Sequence, residues 1–141
     1  MAYAAQSDIQ NAAGGLARLV EFADWDGDGA VDAAAIAFAQ AAADGVIDAS
    51  AALRYDVPIS DPTDTLKMHA AKECIYQLKF ARGMVTALDA EERDQRTEWL
   101  ALLRDGKVRP ANPAPAKSDA VRSAAVVNNR DVSRENLKGY I

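Results

Sequence analysis

Asp24-Trp-Asp-Gly-Asp-Gly-Ala-Val-Asp32 runs without a break into Ala33-Ala-Ala-Ile-Ala-Phe-Ala-Gln-Ala-Ala-Ala43, and this join sets the helical character of the whole chain. Alternating Asp and Gly ahead of an Ala-rich run is a turn feeding a helix. Asp accepts hydrogen bonds from nearby backbone amides, Gly supplies positive φ, and Ala has the highest helix propensity. The same residues also read as a helix–loop–helix calcium site up to its last ligand. Such a loop draws oxygens from positions 1, 3, 5, 7 and 9, and a bidentate Glu closes the shell at position 12. Asp24, Asp26 and Asp28 fall at the first three of these, Gly29 at the sharp turn, the Ala30 carbonyl at the fourth and Asp32 at the fifth; the closing position is Ala35. Without that carboxylate only weak calcium binding is expected, with water completing the shell. The alternative is a structural turn in which Asp32 caps the following helix and meets the positive end of its dipole.

Outward from this join the chain reads as helices. Asp32 to Ser50 is expected to be one long helix, with Ile36, Ala39, Ala43 and Ile47 on one stripe. Upstream, Ser7 and Asp8 are candidate N-caps of a short first helix ending by Gly14-Gly15, and Leu16, Leu19, Val20 and Phe22 form a short second element. Downstream, Leu53-Arg-Tyr-Asp-Val-Pro58-Ile-Ser-Asp-Pro62 is an extended connector, because each proline disfavours helix in the residue before it. Pro62 or Thr63 opens a third main helix with Ala71, Cys74, Ile75, Leu78, Ala81 and Val85 on its core face. Asp89 with Glu92 is expected to cap a fourth, from which Trp99, Leu102 and Leu103 point inward before Gly106 stops it. The expected fold is all-α, a small bundle of about four helices with an extended C-terminal arm.

The bulk composition agrees. At 141 residues the chain is one domain with an appendage. Hydrophobic residues make up 50% of it, but Ala dominates them and aromatics are 6%, so the core is thin and helical. No run of about 18 apolar residues is present, so no membrane span is expected. The opening Met1-Ala-Tyr-Ala-Ala-Gln-Ser-Asp8 lacks the basic and apolar regions of a signal peptide. A lone Cys74 excludes an internal disulfide and fits a reducing cytoplasm, and a lone His69 cannot build a His-based zinc cluster. Both are expected to be structural, one in the core and the other half-buried or exposed. Neither a Gly-rich phosphate loop nor a nucleophile with a base is present, so no enzyme is expected.

The character changes after Arg109. Residues 1–108 are read as the helical body and 109–141 as an extended arm opening with Pro110-Ala-Asn-Pro-Ala-Pro-Ala116, which favours polyproline-like backbone. Residues 1–106 carry 9 basic and 18 acidic side chains, whereas 107–141 carry 7 basic and 3 acidic. A basic arm on an acidic body suits docking onto another molecule; a merely solubilising tail is the alternative. Within the arm, Val126 and Val127 suit strand addition to a partner's sheet, and Arg134, Leu137, Lys138 and Tyr140 suit anchoring. In the connector, Tyr55 is a packing anchor, with Arg54 and Asp56 as candidate inter-subunit partners.

In order, these segments resemble the neck proteins of tailed phages and Mu-like prophages, the head–tail connector or head-completion group. The resemblance rests on Met1–Asp8, the Asp24–Asp32 loop with its Ala-rich helix, Ala52-Leu-Arg-Tyr-Asp-Val-Pro58, Trp99-Leu100 with Gly106-Lys-Val108, and Ser133-Arg-Glu-Asn-Leu-Lys-Gly139. Gly14-Gly15 departs from that pattern, and the stretch from Asn112 to Arg130 has no counterpart in it. The resemblance implies a virion protein, assembled in the host cytoplasm, that forms a ring (commonly a dodecamer) on the portal. Such a ring extends the DNA channel, docks the next neck or tail protein, and reaches its arms onto the portal or a neighbouring copy. DNA would pass through without sequence-specific binding. A calcium-dependent protein-binding module built on the Asp24–Asp32 loop is the competing reading.

Overall fold

The computed structural model describes residues 2–112, and these form five α-helices and no strand: α1 (Gln6–Ala13), α2 (Leu16–Ala23), α3 (Ala33–Ala51), α4 (Asp64–Ala81) and α5 (Ala87–Arg104). The all-α expectation holds, and the short second element is a helix of its own. From residue 113 onward the expected arm lies outside the described residues, and so do the candidate anchors Val126, Val127, Arg134, Leu137, Lys138 and Tyr140. At the end of the described residues, Pro110 is fully buried, its carbonyl accepts the Thr63 N–H at 2.9 Å, and Ala111 bridges to Pro62.

α4 is the central helix. It packs along α3 over the longest contact and also touches α1, α2 and α5. Ala35, Ala39, Ala43 and Ala51 of α3 and Ala70 and Ala71 of α4 are all buried. Side chains this small let the two helix axes approach closely, and the larger apolar groups Ile36, Ile47, Leu66, Cys74 and Leu78 fill the space around them. Burying each of the larger aliphatic side chains contributes about 1.5–3 kcal/mol. The α3 stripe expected from the sequence is buried as read. On α4, Ala71, Cys74, Ile75 and Leu78 are buried, but Ala81, the last residue of the helix, is exposed and Val85 lies past its end. On α5, Leu103 is buried and Trp99 half-buried as expected, whereas Leu102 is 39% exposed and Leu100 takes the inward position.

The caps depart from the sequence reading in an instructive way. α1 begins after Ala5, and Asp8 serves it from within the first turn by accepting the Ala5 N–H at 2.9 Å. α5 begins after Thr86 rather than Asp89: the Thr86 hydroxyl accepts the Asp89 N–H, and the Asp89 carboxylate accepts the Thr86 N–H at 2.8 Å. The carboxylate lies at the third helical residue in both cases, so reading it as the cap shifts the start by one turn. Gly14 ends α1 at φ 91°, which lets the chain turn directly into α2.

Tyr3 fastens the N-terminal segment to the body. It is 5% exposed, its hydroxyl donates to the Asp48 carboxylate on α3, and the same oxygen accepts the Ile59 N–H at 2.9 Å from the connector. The Tyr3 N–H donates to Asp44 at 3.1 Å, and Gln40 Nε2 donates to the Ala4 carbonyl at 2.9 Å. Burial, then the hydrogen bond to Asp48, raises the phenol pKa above its ordinary value, so it stays a donor. Replacing Tyr3 with Phe keeps the ring but leaves the Ile59 amide and Asp48 without this partner. The expected loss is about 1–3 kcal/mol of unfolding free energy, read by urea denaturation.

Candidate functional site

The Asp24–Asp32 loop sits between α2 and α3 and is closed by its own acids. Asp24 accepts three backbone N–H groups, from Gly27 at 2.8 Å, Asp28 at 3.1 Å and Gly29 at 2.9 Å. Asp26 accepts the Asp28 N–H at 3.0 Å, and Asp28 the Ala30 N–H at 2.8 Å. Gly27 and Gly29 adopt φ 80° and 82°, the left-handed conformation that the tight winding requires. Asp32 occupies the N-cap position of α3, but its carboxylate does not cap the helix. It accepts the Trp25 and Asp26 N–H groups at 2.6 and 3.1 Å and so cinches the loop.

The three leading carboxylates do converge: Asp24, Asp26 and Asp28 each place an oxygen within 4.8 Å of the others. Partial desolvation opposes ionisation of Asp24, yet the N–H groups of Gly29, Gly27 and Asp28 together hold its carboxyl below the usual range. The Asp28 N–H lowers Asp26 too, but desolvation and the charges of Asp28 and Asp32 outweigh it and raise that carboxyl. As a cation site this donor set is incomplete. The closing position, Ala35, is fully buried in the core, where it offers no oxygen, and both Asp24 oxygens already serve backbone donors.

In the connector, Arg54 and Tyr55 are used within the chain. The Arg54 Nε donates to the Arg104 carbonyl at the end of α5 at 3.3 Å, and its side chain lies over Gly106, where an added Cβ would come within 2.7 Å of it. The Tyr55 hydroxyl donates to the Val108 carbonyl at 3.4 Å. Both therefore tie the connector to the exit of α5. Asp56 is exposed on the same segment.

A charged cluster that the sequence reading did not single out joins α4 to α5. Glu73, 4% exposed, pairs with Arg96 at 3.1 Å and Arg93 at 3.3 Å and accepts Gln77 Nε2 at 3.0 Å. Its sequence signal is faint: two arginines three apart on α5 share one carboxylate that stands among the buried positions of α4. One turn earlier on α4, His69 stacks on Trp99 with centroids 4.2 Å apart, and its buried Nδ1 lacks a hydrogen-bond partner. Burial first, then Lys72 and Arg96, lower the imidazole pKa to about 4. Cys74 lies in the core, where burial pushes its thiol up to about 12.

The His69 shift gives stability a pH dependence. The folded state resists protonation that the unfolded chain accepts near its ordinary value of 6.5, so this contribution is complete above 6.5 and is lost progressively as the pH falls towards about 4. The unfolding midpoint should fall across that window, and His69→Phe should flatten the slope within it. An unchanged slope in the variant would show that other groups govern the dependence.

The chain matches the family described as "Bacteriophage Mu, Gp36" over residues 3–128, a span that includes most of the Asn112–Arg130 stretch left without a counterpart above. No curated protein matches it.

Proposed function

Since the chain belongs to the bacteriophage Mu Gp36 family, we propose that it is a structural head–tail connector, an adaptor or head-completion protein whose copies pack side by side as a ring on the portal. The observation that carries this reading is the outer face of α3. Ala34, Ala37, Phe38, Ala41, Gly45 and Ala49 are exposed along it, and the helix's only charged residues, Asp44 and Asp48, are turned to Tyr3. A helix facing water ordinarily carries charge on its outer side. Here Trp25 and Phe38, 43% and 47% exposed with ring centroids 5.7 Å apart, add an aromatic pair at one end of an uncharged strip. Small side chains along such a strip suit close packing against a second copy, and an aromatic pair suits an anchor.

α5 supports the conduit part of the reading. Its exposed side carries Glu91, Glu92, Asp94 and Glu98. Carboxylates on a channel wall repel phosphates and let DNA slide, where a basic wall would hold it. The basic arm then reaches the portal or a neighbour, and the body docks the next neck or tail protein. Calcium dependence is the second reading, favoured by the convergence of Asp24, Asp26 and Asp28. It requires partner binding that chelator abolishes, whereas the connector assembles with or without metal.

Deleting the gene and imaging the induced lysate tests the reading directly. DNA-filled heads without tails, or heads that have leaked their DNA, are expected; normal infectious particles would overturn it. Ala41→Glu adds a charge to the α3 strip at an exposed position. It should leave the melting curve close to wild type and abolish complementation of the deletion. Removing residues 113–141 should likewise leave a folded helical body that no longer enters the neck, and normal incorporation would make the arm dispensable.

A further inference from the structure

Between α1, α2, α4 and α5 lies a cavity of about 180 Å³ whose charge is opposite to that of the body around it. Residues 1–106 hold 9 basic and 18 acidic side chains. Four of those basic groups, Arg18, Lys72, Lys79 and Arg96, line this one cavity, against Asp89 and Glu92 among the acids. Asp89 is already paired with Lys79 at 2.8 Å. Arg96 is 5% exposed and shares Glu73 with Arg93, and its buried Nη2 has no hydrogen-bond partner. Lys72 makes no ion pair among the described residues, and Arg18 has only an exposed one with Glu21 at 3.9 Å. One shared carboxylate therefore serves two arginines beside two further cations that lack close partners. Concentrated positive charge next to a desolvated guanidinium is stabilised by an anion.

The walls narrow the class of anion. Lys79 Nζ sits 4.9 Å from the Phe22 ring centroid, and the guanidinium groups of Arg93 and Arg96 lie 4.4 and 5.9 Å from that of Tyr76. Each ring thus already carries one of the protein's own cations, Tyr76 also stacks with Phe80, and Phe22 is only 6% exposed, which leaves little aromatic surface for a base or another ring. The volume is more than ten times the roughly 10–15 Å³ that one water needs, enough for a small ion or an acidic side chain.

We propose that this cavity is an oxyanion-binding site, taking a non-aromatic phosphate or carboxylate through Arg18, Lys72 and Arg96, with Lys79 held beside them by Asp89. The oxyanion has two sources, free phosphate or the carboxylate of a second copy of this acidic chain. The experiment is calorimetric titration of the full chain with inorganic phosphate and, separately, with glutarate, each at ionic strength matched with chloride. Saturable binding of either probe is expected, at one per chain, and at least tenfold weaker in R18A/K72A. Those two side chains are exposed, so the variant keeps the fold, whereas replacing Arg96 would strand Glu73. Stronger binding of phosphate assigns the site to the free ion. Stronger binding of glutarate, with self-association in sedimentation velocity that glutarate and R18A/K72A both weaken, assigns it to a neighbour's carboxylate. If neither probe binds, or if either binds the variant as tightly as wild type, the proposal is overturned. The connector reading would survive that failure, since it rests on the α3 strip.

Discussion

One hydroxyl holds three distant parts of this chain in register. Through the Tyr3 oxygen, the N-terminal segment, the last turn of α3 and the α3–α4 connector meet at a single buried point. The connector has little regular structure, so side-chain ties rather than backbone ladders set its path. Tyr3 fixes it at Ile59, and Arg54 and Tyr55 fix it against the end of α5. Because the connector sets where α4 begins, and α4 is the helix that all others touch, the packing of the body depends on these ties.

Around that frame the helices use two kinds of contact. α3 and α4 meet through alanines, which set a short spacing but carry little directional information. α4 and α5 meet through Glu73, Arg93 and Arg96, where a buried carboxylate between two arginines fixes register at some cost in desolvation. The body thus combines close apolar packing on one side of α4 with a charge-specified joint on another. The α3 strip then remains facing outward, with only small or aromatic side chains along it.

Much of this was legible in the sequence, and what escaped did so for physical reasons. The Ala-rich helix and the Asp-rich turn were readable because propensity and turn chemistry act locally on consecutive residues. The starts of α1 and α5 were displaced by up to one turn, since a carboxylate at the third helical residue looks in sequence like the cap it supports. Asp32 was placed correctly but its hydrogen bonds were not, because a carboxylate at a helix start can bond forward into the helix or backward into the loop. Tyr3 and the Glu73 cluster stayed hidden because their partners lie 45 and 23 residues away, beyond any local pattern. The basic cavity follows the same rule: its cations come from α2, α4 and α5, and only the fold assembles them.

The lone thiol also has a practical meaning. Cys74 is the single cysteine of the whole sequence, it is buried, and its pKa is pushed up to about 12. At neutral pH almost none of it is thiolate, the form that reacts with maleimides or disulfide reagents. The natural chain is therefore nearly silent to thiol chemistry. A cysteine introduced at any exposed position becomes the one reactive handle per copy, so a single label or a single copy-to-copy cross-link can be assigned to a known residue without first removing the native sulfur.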